Sequence, residues 1–539
     1  MWEDLKTVND SLGTFFSPGD RDWMIGNNCA EKARRDYFSA SIKTKALSLL
    51  NIVNSLLAAQ GIKAYVVGGF VRDMLLGRDT ADIDIAVDAD ALEIASEVAS
   101  VIKGRYVLLD KENGIGRVVL ISEEAPSATG RWELDFSTFK GSIEQDLARR
   151  DFTVDAMAID LNELVTGFQD VQLIDPIGGR NDLEQRVIRV VAGSTLEADA
   201  ARLLRAVRLA AELGFSIDGD TETQIQRHSE LIKNVAAERV REELLRILTI
   251  PGDRELLPYL DRLGLLTAVV PELVQMKDVR QPREHFWDVF EHSLKTVVAV
   301  DFVLRQGAWQ YADNEVFEAV HWSDELAQHF NRKVSGGSTR RLLLKLAALL
   351  HDVAKPQTKA IDSTGRMRFL GHGREGAALA VGILERLRFS AREIKLVETI
   401  IEHHLRPMQM SHDELPSQRA IYRYFRDTGE AGIDTLFLSL ADHLSTRGPR
   451  LSLAAWREHN QMVEYVLARH FEQEKVTLPA KLVDGHDLIN IYGMRPGPEL
   501  GELLESVREA QAAGELNTRQ EALDYIRKRL LTEGKMIDD

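Results

Sequence analysis

The segment that most constrains this chain is YVVGGFVRDMLLGRDTADIDIAV, residues 65–87. A β-rich run enters Gly68-Gly69, a short helix is predicted from Phe70 to Leu76, and Gly77 ends it. Glycines at such a turn let the backbone approach a phosphate, and the helix start offers unpaired N–H groups to it. Arg72 lies one turn in and suits an anionic oxygen, with Asp73 beside it. Next comes Asp82-Ile83-Asp84-Ile85. On a strand, side chains two apart share a face, so both carboxylates point one way while the isoleucines bury. Two like charges that close are costly unless a cation sits between them, as in phosphoryl-transfer sites with two ions roughly 4 Å apart. A Gly-Gly pair alone is more often a plain tight turn. The ordered set is what carries the chemistry.

Two later segments extend it. Asp135, in WELDFSTF, is the candidate third carboxylate on a neighbouring strand; Glu133 shares its parity but lies nearer the strand start. In DLARRDFTVDAMAID, Arg149 and Arg150 suit triphosphate oxygens, and Asp151 suits a ribose hydroxyl.

The chain has 539 residues, which predicts roughly two to four domains. Its 44% hydrophobic and 28% charged residues are those of a soluble globular protein, and no apolar run reaches membrane-spanning length. The start, MWEDLKTVND, lacks a signal-peptide pattern. A net charge of −17 excludes a uniformly basic nucleic-acid coat, so any phosphate-binding surface has to be local. The single Cys29 excludes an internal disulfide framework and suits a reducing cytoplasm.

Residues 64–175 read as mixed α/β, with turn signals at 110–116 and 125–130. After Leu196 the pattern is helical; ADAARLLRAVRLAAELG ends at Gly214, and AAERVREELLRIL follows. Residues 305–339 are polar and aromatic and read as an insertion or lid. Residues 479–497 open a separate helical tail.

Five segments share a second pattern: EHFWDVFEHSLKTV, LAALLHDVAKP, FLGHGREGA, IIEHHLRP and LSLADHLSTRGP. His351-Asp352, with His292 before and Asp442 after, gives ligands suited to a divalent ion. His372 with His403 or His404 completes a second ion site, and His403 is taken as the ligand. Lys355 is placed to pair with a phosphate or with Asp352. One such histidine would be an ordinary core residue, but the recurrence favours a metal cluster. His285, His321, His329, His412, His443, His459, His470 and His486 are left as structural or surface residues.

As a set, Gly68-Gly69-Phe70-Val71-Arg72-Asp73, Asp82-Ile83-Asp84, Arg149-Arg150-Asp151-Phe152, Asp175-Pro176-Ile177-Gly178-Gly179, Asp199-Ala200-Ala201-Arg202-Leu203-Leu204-Arg205 and Glu238-Arg239-Val240-Arg241-Glu242-Glu243-Leu244 resemble the class II tRNA nucleotidyltransferase and bacterial poly(A) polymerase family. The resemblance spans about residues 60–270. It implies that Asp82 and Asp84 hold Mg²⁺, that Asp135 is the third acidic position, and that Arg149–Asp151 contact triphosphate and ribose. It also implies that Asp199 and Arg202 read the incoming base, with Arg205 and Arg208 as backing or phosphate contacts. The partners implied are tRNA, CTP and, as a second candidate substrate, ATP, with no membrane. Residues 285–445 resemble the HD phosphohydrolase superfamily, which implies a divalent metal there and phosphatase or phosphodiesterase chemistry.

Two departures stand out. The family's template motif usually has Glu before its Asp, where this chain has Ala198. CCA-adding members carry a longer flexible loop before Arg-Arg-Asp, where only residues 141–147 intervene here; its loss resembles enzymes that add CC alone. The expected architecture is a multidomain α/β plus α protein. Residues 1–42 form an N-terminal extension, 43–180 a polymerase-β-like nucleotidyltransferase head and 181–275 a helical neck. Residues 276–450 form an HD helical body and 451–539 a helical tail that holds tRNA. The rival readings are a poly(A) polymerase and an HD phosphohydrolase whose head only binds RNA.

Overall fold

The computed structural model describes residues 40–122, 130–167, 171–251, 255–410, 415–475 and 481–532. Cys29, His412 and most of the predicted turn at 125–130 lie outside the described residues. The chain divides into two compact units, Met1–Thr195 with Ser216–Thr221, and Leu196–Phe215 with Glu222–Asp539. Among the described residues no helix is long and apolar enough to cross a membrane.

The first unit is built on a seven-stranded sheet in the order β3-β4-β5-β2-β1-β6-β7. Its strands are β1 (Ala64–Val67), β2 (Asp82–Val87), β3 (Arg105–Asp110), β4 (Ile115–Ile121), β5 (Arg131–Thr138), β6 (Ala158–Asp160) and β7 (Leu173–Ile174). Only β2 and β5 run parallel; the other neighbours are antiparallel. The helix Ala91–Ile102 packs on β4 and β5, capped by Asp90, whose carboxylate accepts from the N–H groups of Leu92 and Glu93. One face of the central strands therefore buries Ile83, Ile85, Val118, Leu134 and Phe136 completely. The opposite face is left for charged side chains. The helix Gly69–Leu76 stops where Gly77 turns left-handed, with φ 67°.

The second unit is helical. Its amphipathic helices Ala201–Leu213 and Ala237–Thr249 pack together, and the former ends at the left-handed Gly214. A further bundle contains Val289–Val303, Arg340–Leu350, His372–Arg386, Ala391–His403 and Gly432–Arg447. The tail helices Gly485–Tyr492, Pro498–Ala512 and Arg519–Thr532 enclose a core of their own around Leu488, Leu503, Val507 and Ile526.

Residues 305–339 are not a lid. Part of the segment is core: Trp309, Leu326 and Phe330 are buried, and Phe330 stacks on Trp322 and meets Phe437 edge-on. The indole N–H of Trp456 donates to the Val316 carbonyl at 2.9 Å. Polar composition misled because the helices Asn314–Glu318 and Asp324–Asn331 are short and each spends a polar residue, Asp313 or Ser323, as its cap.

Candidate active site and metal centre

Parallel pairing of β2 with β5 sets Asp82 opposite Glu133 and Asp84 opposite Asp135. All four carboxylates share the face away from the buried isoleucines. Burial pushes the Asp84 carboxyl up to about 7; the Arg150 guanidinium opposes this, and Asp82 and Asp135 add to it. Hard carboxylate oxygens crowded at a cost to their ionised form are a donor set that fits a hard divalent cation.

The Gly-Gly turn frames this face. Gly68 has φ +69°, and a Cβ there would lie 2.8 Å from Nη1 of Arg150 and 3.1 Å from Oδ2 of Asp84. Its N–H donates to the Met157 carbonyl at 3.2 Å, which ties the turn to the strand after Arg149-Arg150. Asp146 accepts from both arginines, from Arg149 at 2.9 Å and Arg150 at 3.4 Å.

Arg72 is committed elsewhere. Its guanidinium donates to both oxygens of Asp73 at 3.0 Å and to Asp155 at 2.5 Å, so it braces the turn rather than facing outward. Asp151 is also buried; one carboxylate oxygen accepts from the Phe152 N–H.

In the second unit, Asp199 accepts from the Ala201 N–H at 3.2 Å and from Nη2 of Arg239 at 2.8 Å. Burial works against its charge, and Arg239 outweighs burial to hold the carboxyl below its usual range. Nε of Arg202 lies 3.9 Å from the same Asp199 carboxylate. Arg205 is exposed on the same helix. Arg208 is buried and bridges Glu243 and Glu212, both at 2.7 Å.

The helical bundle brings together two buried groups, His292, His351 and Asp442, and Asp352, His372 and His404. Within each, the potential ligand atoms lie within 4.8 Å of one another. Nδ1 of His351, His372 and His404 each donates to a carbonyl three residues back, at 2.8, 2.6 and 2.6 Å. That leaves each Nε2 as the lone pair turned inward. Nε2 atoms of His292 and His351 come within 3.2 Å, and those of His372 and His404 within 3.3 Å. Asp352 lies between the groups: Oδ2 is 3.2 Å from His351 Nε2, and Oδ1 is 3.5 Å from His372 Nε2. Neither oxygen receives an aligned hydrogen bond, although Lys355 Nζ is 2.6 Å from Oδ2. Burial pushes His404 down to about 3, while neighbouring histidines overcome burial to hold Asp442 below the carboxylate range. Neutral imidazole and ionised carboxylate are the metal-binding forms.

Three family models match the chain in order, and His292 and the Asp199–Arg208 stretch lie outside their matched residues. The Poly A polymerase head domain matches residues 64–189, the probable RNA and SrmB-binding site of polymerase A matches 214–276, and the HD domain matches 316–447. The A-adding tRNA nucleotidyltransferase of Deinococcus radiodurans is 34% identical over 471 residues, covering 86% of this chain and 95% of that protein. The chain belongs to the tRNA nucleotidyltransferase family. The CC-adding tRNA nucleotidyltransferase of Thermus thermophilus is 33% identical over 471 residues, covering 86% and 93%. A solved CCA-adding enzyme in complex with ATP shares the fold, with TM-score 0.59, 22% identity, and 92% and 96% of the two chains covered.

Within this nucleotidyltransferase the geometry sorts the expected residues. It gathers Gly68, Asp82, Asp84, Asp135 and Arg150 on one face, with Gly69 opening the adjoining helix. It turns Arg72 and Arg208 inward as struts; 204, 208 and 211 share the buried helix face, a spacing legible beforehand. Of the adjacent pair His403 and His404, the structure brings His404 beside Asp352 and His372, which corrects the choice of His403 as the residue facing that group. His403 is only half-buried at the helix end, whereas His404 faces His372. His285, set aside as structural, has its ring 5.5 Å from that of His292. Arg117 and Asp155 were missed outright, and Arg239 was read only as part of a motif, without its partner. Their partners are Asp135, Arg72 and Asp199, all distant in sequence, and no spacing rule signals such pairs.

Proposed function

We propose that this chain adds C to the 3′ end of tRNA from CTP and stops at CC. The observation that carries the choice is the connection between β5 and the helix Ile143–Leu147. Phe139 is buried with its N–H donated to the Val87 carbonyl at 3.0 Å, and Ser142 and Gln145 close a capping box. Little backbone is left to reorient between adding C and adding A. Ala198 supports the same reading, because Asp199 takes Arg239 as its partner. The relatives do not decide this, since A-adding and CC-adding proteins match almost equally.

In the reaction the tRNA 3′-hydroxyl loses its proton to solvent as its oxygen forms a bond to the α-phosphorus of CTP, the α–β phosphoanhydride bond breaks, and pyrophosphate leaves. Asp82 and Asp84 would hold Mg²⁺, which supplies charge neutralisation on the reacting oxygens. Asp135 completes the acidic face, and Arg149 and Arg150 meet the triphosphate. Asp199 accepts the exocyclic amino proton of the base while Arg202 donates to a ring acceptor.

The domain division is 43–180 head, 181–275 neck, 276–450 HD body and 451–539 tail, the tail contacting tRNA. The HD histidines and aspartates would hold divalent ions, which would supply the charge for phosphate-ester hydrolysis; the imidazole-rich set suits transition metals better than Mg²⁺. The tRNA substrate and single cysteine fit work in the cytoplasm.

Single-nucleotide assays test the reading. C should be added efficiently to tRNA ending at the discriminator base, and A poorly to tRNA ending in CC. Addition of A to tRNA-CC at the rate of C addition overturns the CC-only assignment.

A further inference from the structure

Arg117 lies on β4, outside every motif described above. Antiparallel pairing sets it directly opposite Asp135, and parallel pairing sets Asp135 directly opposite Asp84. Guanidinium and two carboxylates thus form one row across three strands. Nε and Nη2 of Arg117 donate to Oδ1 and Oδ2 of Asp135 at 2.6 and 2.7 Å. Nη1 donates to Glu133, the other same-face acid of β5.

Stability is a weak explanation for this arrangement. The pair is partly exposed, 27% for Arg117 and 18% for Asp135, and such pairs contribute only about 0–1 kcal/mol. Orientation is a stronger one. A bidentate guanidinium fixes the plane of a carboxylate as well as its position, which a lysine ammonium cannot do. The strands beneath cannot rotate to compensate, because Val118, Leu134 and Ile83 on the reverse face are fully buried.

We propose that Arg117 is a positioning residue for nucleotide transfer, which sets the plane of Asp135 toward Asp84 and holds Glu133 out of its place. This rests on Asp135 being the third carboxylate of the reaction. Arg117 acts through Asp135 and touches no substrate. Without it Asp135 can rotate away from the row, and Glu133, opposite Asp82, is free to take part.

The test uses full-length wild type, Arg117→Met, Arg117→Lys, Asp135→Asn and the Arg117→Met/Asp135→Asn double variant, in single-turnover addition of C. Arg117→Met should lower kcat about 10- to 100-fold, the usual cost of losing an outer orienting partner. CTP affinity should stay within about twofold and the melting midpoint within about 3 °C. Arg117→Lys should recover only part of the rate and, should Met destabilise the sheet, carries the comparison alone. In the Asp135→Asn background, where residual transfer is followed over hours, Arg117→Met should cost no more than about twofold. A wild-type kcat in Arg117→Met, or an equal loss in both backgrounds, overturns the positioning role and leaves Asp135 in place. Wild-type transfer by Asp135→Asn overturns the Asp135 assignment itself, and the proposal with it.

Discussion

Gly68 lies against Arg150, so closely that a Cβ at position 68 would stand 2.8 Å from the guanidinium. The first glycine of the turn thus sets where Arg150 rests, the arginine proposed to meet the triphosphate. Gly68→Ala must strain a backbone at φ 69° and ψ −136°, which suits glycine alone, at about 1–3 kcal/mol, and crowd Arg150 and Asp84. It should lower C addition at least about tenfold, mainly through CTP affinity, with a smaller loss in melting midpoint. A CTP titration of the variant against wild type decides the point; unchanged affinity contradicts the contact.

Asp84→Asn removes the acidic-face carboxylate that burial pushes up to about 7. C addition should fall more than about 100-fold, since several kcal/mol of transition-state stabilisation go with the ion. Gel-shift affinity for tRNA should change little, and transfer near the wild-type rate would contradict the assignment.

The buried histidine-aspartate centre should be separable from transfer. His351→Ala with Asp352→Ala should strip metal from the bundle, measured by elemental analysis, and end any hydrolysis of a phosphodiester probe. C addition should remain within about threefold of wild type, because the head carries its own carboxylates. Loss of addition in a folded variant would mean the two sites are coupled.

His443 and His459 stack with ring centroids 5.3 Å apart, and burial pushes each down to about 4. The unfolded chain takes up protons below the ordinary histidine value of about 6.5, whereas the fold resists until about 4. Stability is therefore full above about pH 6.5 and falls toward pH 4, by about 1.4 kcal/mol per pH unit for each histidine. Denaturant melts at pH 7.5, 6 and 5 should show this fall, and His459→Asn should reduce its slope by about one proton. Equal slopes in the two proteins would rule the stack out as the cause.

Much of the head was legible because it obeys local rules. Parity placed Asp82 and Asp84 on one face, and Gly77 and Gly214 marked helix ends through their left-handed backbone. Residues whose role depends on tertiary register were hidden. Arg117 reads as an ordinary polar position within GRVVLI until the β4–β5 register sets it against Asp135. His403 and His404 differ only by the rotation of one residue on a helix end, and the packing of that helix on His372–Arg386 selects between them. The aromatic residues at 305–339 carry no clear period, since their two helices are each too short to display one.

The antiparallel ribbon of β4 and β5 has a consequence for the order in which the head forms. These strands are neighbours in sequence, so their pairing closes a short loop and is favoured early, whereas the parallel pairing of β5 with β2 closes a long one. Early pairing of β4 with β5 would bring Asp135 to Asp84 with Arg117 already beside it, which lessens the repulsion of joining the two carboxylates. A chain lacking that arginine should show slower refolding of the sheet at low ionic strength, with the delay removed by salt.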